Sequence, residues 1–370
     1  MGEHHPEFGD RLIKQALTDG LALKDHLHWI LIGLRRCSSD AVSIYTSSWV
    51  ASDDEALLRI IALSYHYVEW GKLQKQEWDI LCSLVHKGLS QLDMDVLSLL
   101  PSFAPYQPDL AVSFLKKIAV RGDTAVLRRI ADVLAQPNAT NDGWDIKIAN
   151  RQDYLNIFQN FERLPELDHA VERCLNRLGQ FEPMLVVDFL EQRILNAAEH
   201  QLKAKHYHAI PLGFSTPLES IRSSPTYREV LKRVRDWSLD KESALYRNAS
   251  QVLKIIAGHM DEMLCNILME WVISDVVQKQ EAVAHILFMF NDGQAFYDLS
   301  REIITRTDDE SVLRAIGGDI ACTPLSNPLM ASPAYFHRKR IEDLSPWLQD
   351  SHFRVRHFAK KRNTLFSKNA

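Results

Sequence analysis

Basic side chains crowd the C-terminal end of this chain. From residue 335 onward Arg338, Lys339, Arg340, Arg354, Arg356, Lys360, Lys361, Arg362 and Lys368 face only Glu342, Asp343 and Asp350. The whole chain carries a formal charge of −5, so this end is a basic patch on an acidic body. The chemistry open to such a patch is capture of an anionic partner: an acidic protein, a nucleic acid, or the acidic surface of a second copy. The expected contact residues are Arg338, Lys339, Arg340, Arg354, Lys360, Lys361 and Arg362. A solvated end cap is the competing reading, because terminal repeats need a polar outer face. The neighbouring aromatics Tyr335, Phe336, Trp347, Phe353 and Phe358 are spaced as core residues of helices rather than as a base-stacking platform.

Other reactive residue types give less. His200, His206 and His208, and the pair His26 and His28, bring no cysteine or carboxylate at ligand spacing, and helix positions two apart diverge. No metal and no cofactor is assigned. The phosphate-binding GxxxxGK[ST], the GxGxxG, HExxH and GxSxG patterns are missing from the sequence, so no catalytic residue is assigned. Trp237 with Asp236 and Arg235, or Trp271 with Asp275, offers the Trp, Asp and Arg set of a base-excision enzyme. A helical-repeat DNA glycosylase is therefore kept as an enzymatic alternative. The five cysteines, Cys37, Cys82, Cys174, Cys265 and Cys322, are dispersed without a CxxC, as expected of buried free thiols.

The elements that must position these groups read as helices. Apolar periodicity is helical throughout, and alternating strand patterns are nearly absent. Helices are expected over 76–90, 93–103, 109–120 and 123–135, then over 242–257, 260–274, 275–289, 293–305 and 309–316, with a last hairpin of 338–348 and 351–366. Pro101 is expected to kink its helix or end it early. Turn-rich interruptions fall at 136–145, 205–226 and 317–333. The second separates N-terminal repeats with an irregular middle (1–204) from C-terminal repeats (227–370).

A spaced signature runs through these helices: an Asp, an aliphatic residue at +5, an Arg at +6 and a small residue at +9. It is complete as Asp53, Leu58, Arg59, Ala62; as Asp308, Leu313, Arg314, Gly317; and as Asp350, Val355, Arg356, Ala359. Asp95, Leu100, Ala104 and Asp240, Leu245, Ala249 lack the Arg, Asp275 and Ala284 keep only the ends, and Asp123, Leu127, Arg128, Ala131 is one residue short. Successive Asp residues lie 42, 28, 35, 33 and 42 apart, with no copy between Asp123 and Asp240. Helical-hairpin arrays repeat at about 33 to 47 residues. An Asp ahead of a helix can cap its first-turn amides, and positions +5 and +9 share one helical face. The small residue lets the next hairpin approach, and the Arg is free to reach a carboxylate of the adjacent repeat.

This signature resembles that of HEAT and armadillo-like repeats over residues 53–135 and 240–366. The resemblance implies an all-α fold, a right-handed α-solenoid of HEAT-like hairpins in an ARM-type superhelix. A second resemblance is confined to Tyr207-His-Ala-Ile-Pro211, Ser224-Pro-Thr-Tyr227 and Arg233-Val-Arg-Asp-Trp237, which look like helical C-terminal regions of large bacterial STAND-type NTPases, including some defence proteins. It implies a detached sensor arm or a fragment of a longer protein, since no NTPase motif is present. Hydrophobic content of 46% and charged content of 25% suit a folded chain, and no apolar run approaches the ~18 residues of a membrane span. The polar start Met1–Asp10 lacks the pattern of a signal peptide, so a cytoplasmic location is expected. The expected function is a non-enzymatic scaffold for a macromolecular partner, a protein first and nucleic acid second, with no membrane. A sensor module for nucleic acid or another anionic ligand is the alternative.

Overall fold

The computed structural model describes residues 6–19, 26–37, 39–135, 151–203, 207–210, 218–274, 276–290, 293–322 and 340–367. Among them there is no strand, and twenty α-helices and a further helical stretch at 340–344 carry the fold, with short turns and 3-10 segments between many of them. The expected all-α class is what the chain adopts. Two compact units divide it, Met1–Cys174 and Leu175–Ala370, and each is described separately.

In the first unit the helices are α1 (Pro6–Asp19), α2 (Leu27–Cys37), α3 (Ser39–Ser52), α4 (Glu55–Ser64), α5 (Lys75–His86), α6 (Ser90–Phe103), α7 (Pro108–Arg121), α8 (Thr124–Ala135) and α9 (Arg151–Phe161). The start of α10 (His169–Phe181) closes the unit. From α2 onward a helix packs on its sequence neighbour and on the helix two further along, so α2, α4, α6 and α8 form one layer and α3, α5, α7 and α9 the other. The apolar stripes explain this. In α8, Val126, Leu127, Ile130, Ala131 and Leu134 recur at helical spacing and are buried, while Arg128 and Arg129 between them reach the surface. Asp123 starts α8 by accepting from the amide of Val126 at 3.0 Å, and it also takes the Ser90 hydroxyl at 2.9 Å. Helix α6 does not stop early at Pro101. It runs through the proline to Phe103: the missing N–H removes one ladder bond, and the ladder resumes beyond it, with Ala104 N donating to the Leu100 carbonyl at 2.9 Å. Phe103 then anchors an aromatic cluster with Trp70 at 5.3 Å, Trp78 at 5.7 Å and Phe114 at 5.8 Å between ring centroids.

The second unit takes in the rest of α10, then α11 (Pro183–Leu195), α12 (Ala197–Lys203), α13 (Glu219–Arg222), α14 (Tyr227–Asp236), α15 (Ala244–Ala257), α16 (Glu262–Val272), α17 (Val277–Leu287), α18 (Gln294–Arg306), α19 (Glu310–Cys322) and α20 (Phe353–Ser367). The same alternation recurs: α14, α16, α18 and α20 pack in series, as do α15, α17 and α19. Helix α15 is set by local chemistry at both ends. The Ser243 side chain accepts from the Leu245 amide at 3.1 Å, and Gly258 follows Ala257 with φ +72°, a conformation that costs a glycine nothing. Helix α16 begins at Asp261, whose carboxylate accepts from Leu264 N at 2.8 Å. Helix α19 outruns its expected end at Ile316 and continues through Gly317 and Gly318 to Cys322, because the bare Gly317 backbone is covered by a side chain of α20.

The fully buried Arg193 of α11 ties down the described part of the Pro-rich connection. Its guanidinium donates to the carbonyls of His208 at 2.7 Å and Ala209 at 2.9 Å and lies over the Tyr207 ring. Among the described residues no helix is long and apolar enough to cross a membrane.

Candidate binding surface

The last helix presents the basic residues, and its own sequence decides which of them reach solvent. Val355, Phe358 and Ala359 recur at steps of three and one and are buried, fixing the face of α20 that packs inward, with α18 among its neighbours. Asp350 holds the start of the helix. It accepts from His352 N at 2.8 Å and from both arms of Arg301 on α18, at 2.6 and 3.0 Å. The Arg301 guanidinium beside it keeps its carboxyl below the usual carboxylate range. Rotation from the buried face then leaves Phe353, His357, Lys360, Lys361, Thr364 and Leu365 exposed.

The seven expected contact residues therefore have different fates. Arg338 and Lys339 lie outside the described residues. Arg340 is half-buried in the helical stretch described over 340–344. Arg354 is spent on structure: it bonds Asp308 at 2.5 Å and the Thr305 carbonyl at 3.2 Å. Lys360 and Lys361 are exposed and form no ion pair with the described residues. Arg362 is half-buried, donates to the Leu313 carbonyl at 3.2 Å, and has a Nε that is buried without a partner. Burial lowers the pKa of this guanidinium from its ordinary value.

Between α19 and α20 lies a groove of 440 Å³. Ile304, Leu313 and Phe358 give it an apolar floor, Arg314, His357, Lys361 and Arg362 line it with bases, and Asp308 and Glu310 complete one wall. Sequence reasoning named Lys361 and Arg362 but not the groove. The available signal was Gly317 at the small position of the signature: a β-carbon there would stand 1.9 Å from the Arg362 guanidinium carbon.

The signature residues take several roles. Asp123 caps its helix, whereas the residue after Asp53 and Asp308 does so in those copies: Asp54 accepts from Ala56 N and Asp309 from Ser311 N and Val312 N. Asp53, at φ +57°, pairs with Lys87 instead, and Asp308 with Arg354. Arg59 donates to Asp95 at 2.7 Å, and Arg128 reaches Glu166 and Asp168, each at 2.8 Å. Among the described residues Arg314 meets only Glu310 of its own helix, at 3.9 Å, and Arg356 turns back to the carbonyls of Asp350 and Ser351.

The tryptophans and the arginine offered for base excision are packed away. Trp237 is 7% exposed and Trp271 5%, Arg235 stacks on Trp271 at 4.1 Å and bonds Asp236 at 2.8 Å, and Asp275 lies outside the described residues. Trp237, Trp271 and Arg235 form interior packing while Asp236 is exposed, and none of them lines the groove. Among the described residues no three His, Cys, Asp or Glu side chains converge to hold a metal. His208 is exposed and His206 lies outside the described residues. Cys82, Cys174 and Cys265 are free thiols.

A feature that periodicity did not flag is an exposed aromatic pair in the first unit, Trp29 and Tyr67, with ring centroids 5.1 Å apart. It stands beside a smaller groove of 270 Å³ in which Arg35 and Glu77, 3.1 Å apart, are already paired with each other. Comparison with family models, with curated proteins and with solved structures gives no match.

Proposed function

We propose that this chain is a non-enzymatic helical-repeat scaffold that binds a protein partner through the exposed face of α20. The observation that carries the reading is the pair Lys360 and Lys361, exposed and without ion pairs among the described residues, on a helix whose other bases are mostly spent internally. The two-layer alternation of helices within each unit supports a HEAT-like solenoid of right-handed, ARM-type design, in which each hairpin stacks on the next and stability accrues locally. In such an array the rigid stack presents side chains in rows, and specificity resides in the exposed row. Residues 205–226 connect the N-terminal and C-terminal repeats in this reading, and the location is cytoplasmic.

Nucleic acid is the second reading, favoured by the adjacency of Lys360, Lys361 and Arg362. The two are separated by affinity capture from native lysate, with and without nuclease, comparing the wild type with Lys360→Glu/Lys361→Glu. A protein that survives nuclease and disappears with the variant supports the scaffold. Nuclease-sensitive recovery that falls steeply with salt would replace it with the sensor reading. Recovery unchanged by the variant would reduce the basic end to a solvated cap.

A further inference from the structure

The groove between α19 and α20 holds an arginine whose charge no carboxylate balances among the described residues. Arg362 has the Leu313 carbonyl as its hydrogen-bond acceptor, and its Nε is buried without a partner. A half-buried guanidinium gives up hydration, and a neutral carbonyl returns only part of what an anion would. The seat is made by Gly317, over which the guanidinium lies where any β-carbon would collide with it. The other bases at the groove divide sharply. Arg354 is neutralised by Asp308. Arg314 is 80% exposed and 3.9 Å from Glu310, which is equally exposed, and Lys361 has no ion pair among the described residues. Phe358 and Leu313 form an apolar floor, and Phe353, 63% exposed, stands at the rim.

We infer that this groove binds an acidic–apolar segment of a protein partner, with one Asp or Glu carboxylate on Arg362 and a neighbouring apolar side chain against Phe353 and Phe358. The inference rests on the scaffold reading and names its partner's chemistry. A planar guanidinium matches a carboxylate through two parallel hydrogen bonds, which gives a single deep anchor rather than a general attraction. The cavity of 440 Å³ accommodates a few side chains. A nucleic-acid strand fits less well, because the exposed Glu310 on one wall repels a run of phosphates more than it repels a segment with one deeply placed charge. Lys361 and Arg314 at the mouth supply the field that brings an acidic segment in.

The test uses the full chain and three fluorescein-labelled probes read by anisotropy. They are the peptide Gly-Ser-Leu-Glu-Phe-Asp-Leu-Ser-Gly, its Gln/Asn counterpart, and a single-stranded DNA of about twelve nucleotides, a length matched to one small binding site. The acidic peptide is expected to bind at least about tenfold more tightly than the neutral one, the 1.4 kcal/mol of one charge-assisted contact. Arg362→Ala is expected to erase that difference. Gly317→Ala is expected to do the same with every charge retained, because its methyl group evicts the guanidinium from its seat. Since Ala also favours a helix over Gly, a thermal melt at or above the wild-type midpoint shows that the loss is not unfolding. Equal binding of the two peptides, no binding of either, full affinity in Arg362→Ala, or tighter Arg362-dependent binding of the DNA would each overturn the inference. The groove assignment fails separately from the scaffold reading: a captured partner that depends on Lys360 and Lys361 but not on Arg362 leaves the scaffold standing while the groove assignment falls.

Discussion

Glu172 gives the sharpest quantitative prediction. It lies in the first turn of α10, 3% exposed, with both carboxylate oxygens buried and without hydrogen-bond partners. Asp168 stands nearby, itself spent on capping α10, and His169 comes no closer than 3.7 Å. Burial first, and then the Asp168 charge, push the Glu172 carboxyl from 4.5 up to about 8. In the unfolded chain it ionises near its ordinary value, so between pH ~4.5 and ~8 the folded state holds one proton more than the unfolded state. Stability must therefore fall as pH rises through that window, by up to about 1.4 kcal/mol per pH unit, which amounts to roughly 3 kcal/mol by pH 7.

Glu172→Gln carries no titrating proton and removes this slope. Its amide is also buried without partners, at a pH-independent cost of about 1–3 kcal/mol. The two effects cross. The variant is expected to match the wild type or fall up to about 2 kcal/mol below it at pH 5, and to exceed it by about 2–4 kcal/mol at pH 8.5. Urea denaturation midpoints at half-unit steps between these limits measure both curves. Parallel curves, with the wild-type slope kept in the variant, would refute the argument and show that Glu172 is hydrated or ionised in the fold.

Further consequences concern the caps and turns. Asp123→Ala removes the acceptor for Val126 N and Ser90 Oγ, and should cost about 1 kcal/mol, seen as a lower thermal midpoint with unchanged helix content at 25 °C, the customary reference temperature for such values. Gly258→Ala forces a β-carbon into φ +72° and should destabilise by about 1 kcal/mol, whereas Gly293→Ala, with open space but φ +87°, should cost a similar amount through backbone strain alone. Asp350 titrates in the opposite sense to Glu172. Its folded pKa is depressed, chiefly by Arg301, so its contribution is full above the ordinary carboxylate range and disappears as pH falls below it. Asp350→Asn should accordingly flatten the acid limb of a stability–pH curve below about pH 4 and leave its shape above pH 6 unchanged.

Much of the fold was legible because helical periodicity and caps are local. The stripe Val126, Leu127, Ile130, Ala131 placed α8 to within a residue of its observed bounds, and Asp123 marked its start. The signature located the right turns but misassigned some work within them. At the tandem acidic pairs Asp53–Asp54 and Asp308–Asp309, sequence spacing cannot say which carboxylate caps. The second faces the first-turn amides, which frees the first for an ion pair with another helix, Lys87 or Arg354.

The end of α19 was misplaced for a related reason. Gly317 and Gly318 read as a breaker, yet packing of Arg362 over Gly317 rewards the missing side chain. The basic patch was visible as composition, but its division into spent and exposed charges depends on which carboxylates and carbonyls the neighbouring helices bring near. Arg354 and Arg362 are indistinguishable in the sequence, and only the positions of Asp308 and Leu313 separate them. The exposed pair Trp29 and Tyr67 was invisible because residues 38 positions apart meet only through the packing of α2 on the turn after α4.

The central claim is that partner binding occurs on the exposed face of α20, and a hydrogen-exchange footprint tests it most directly. Exchange would be followed by mass spectrometry on the full chain, alone and saturated with the partner that survives nuclease treatment. The account predicts slowed exchange in peptides covering 353–365 and in the facing turn 307–314, with little change over 27–37 and 65–74. Protection confined to the aromatic pair in the first unit, with 353–365 exchanging as in the free chain, would contradict it.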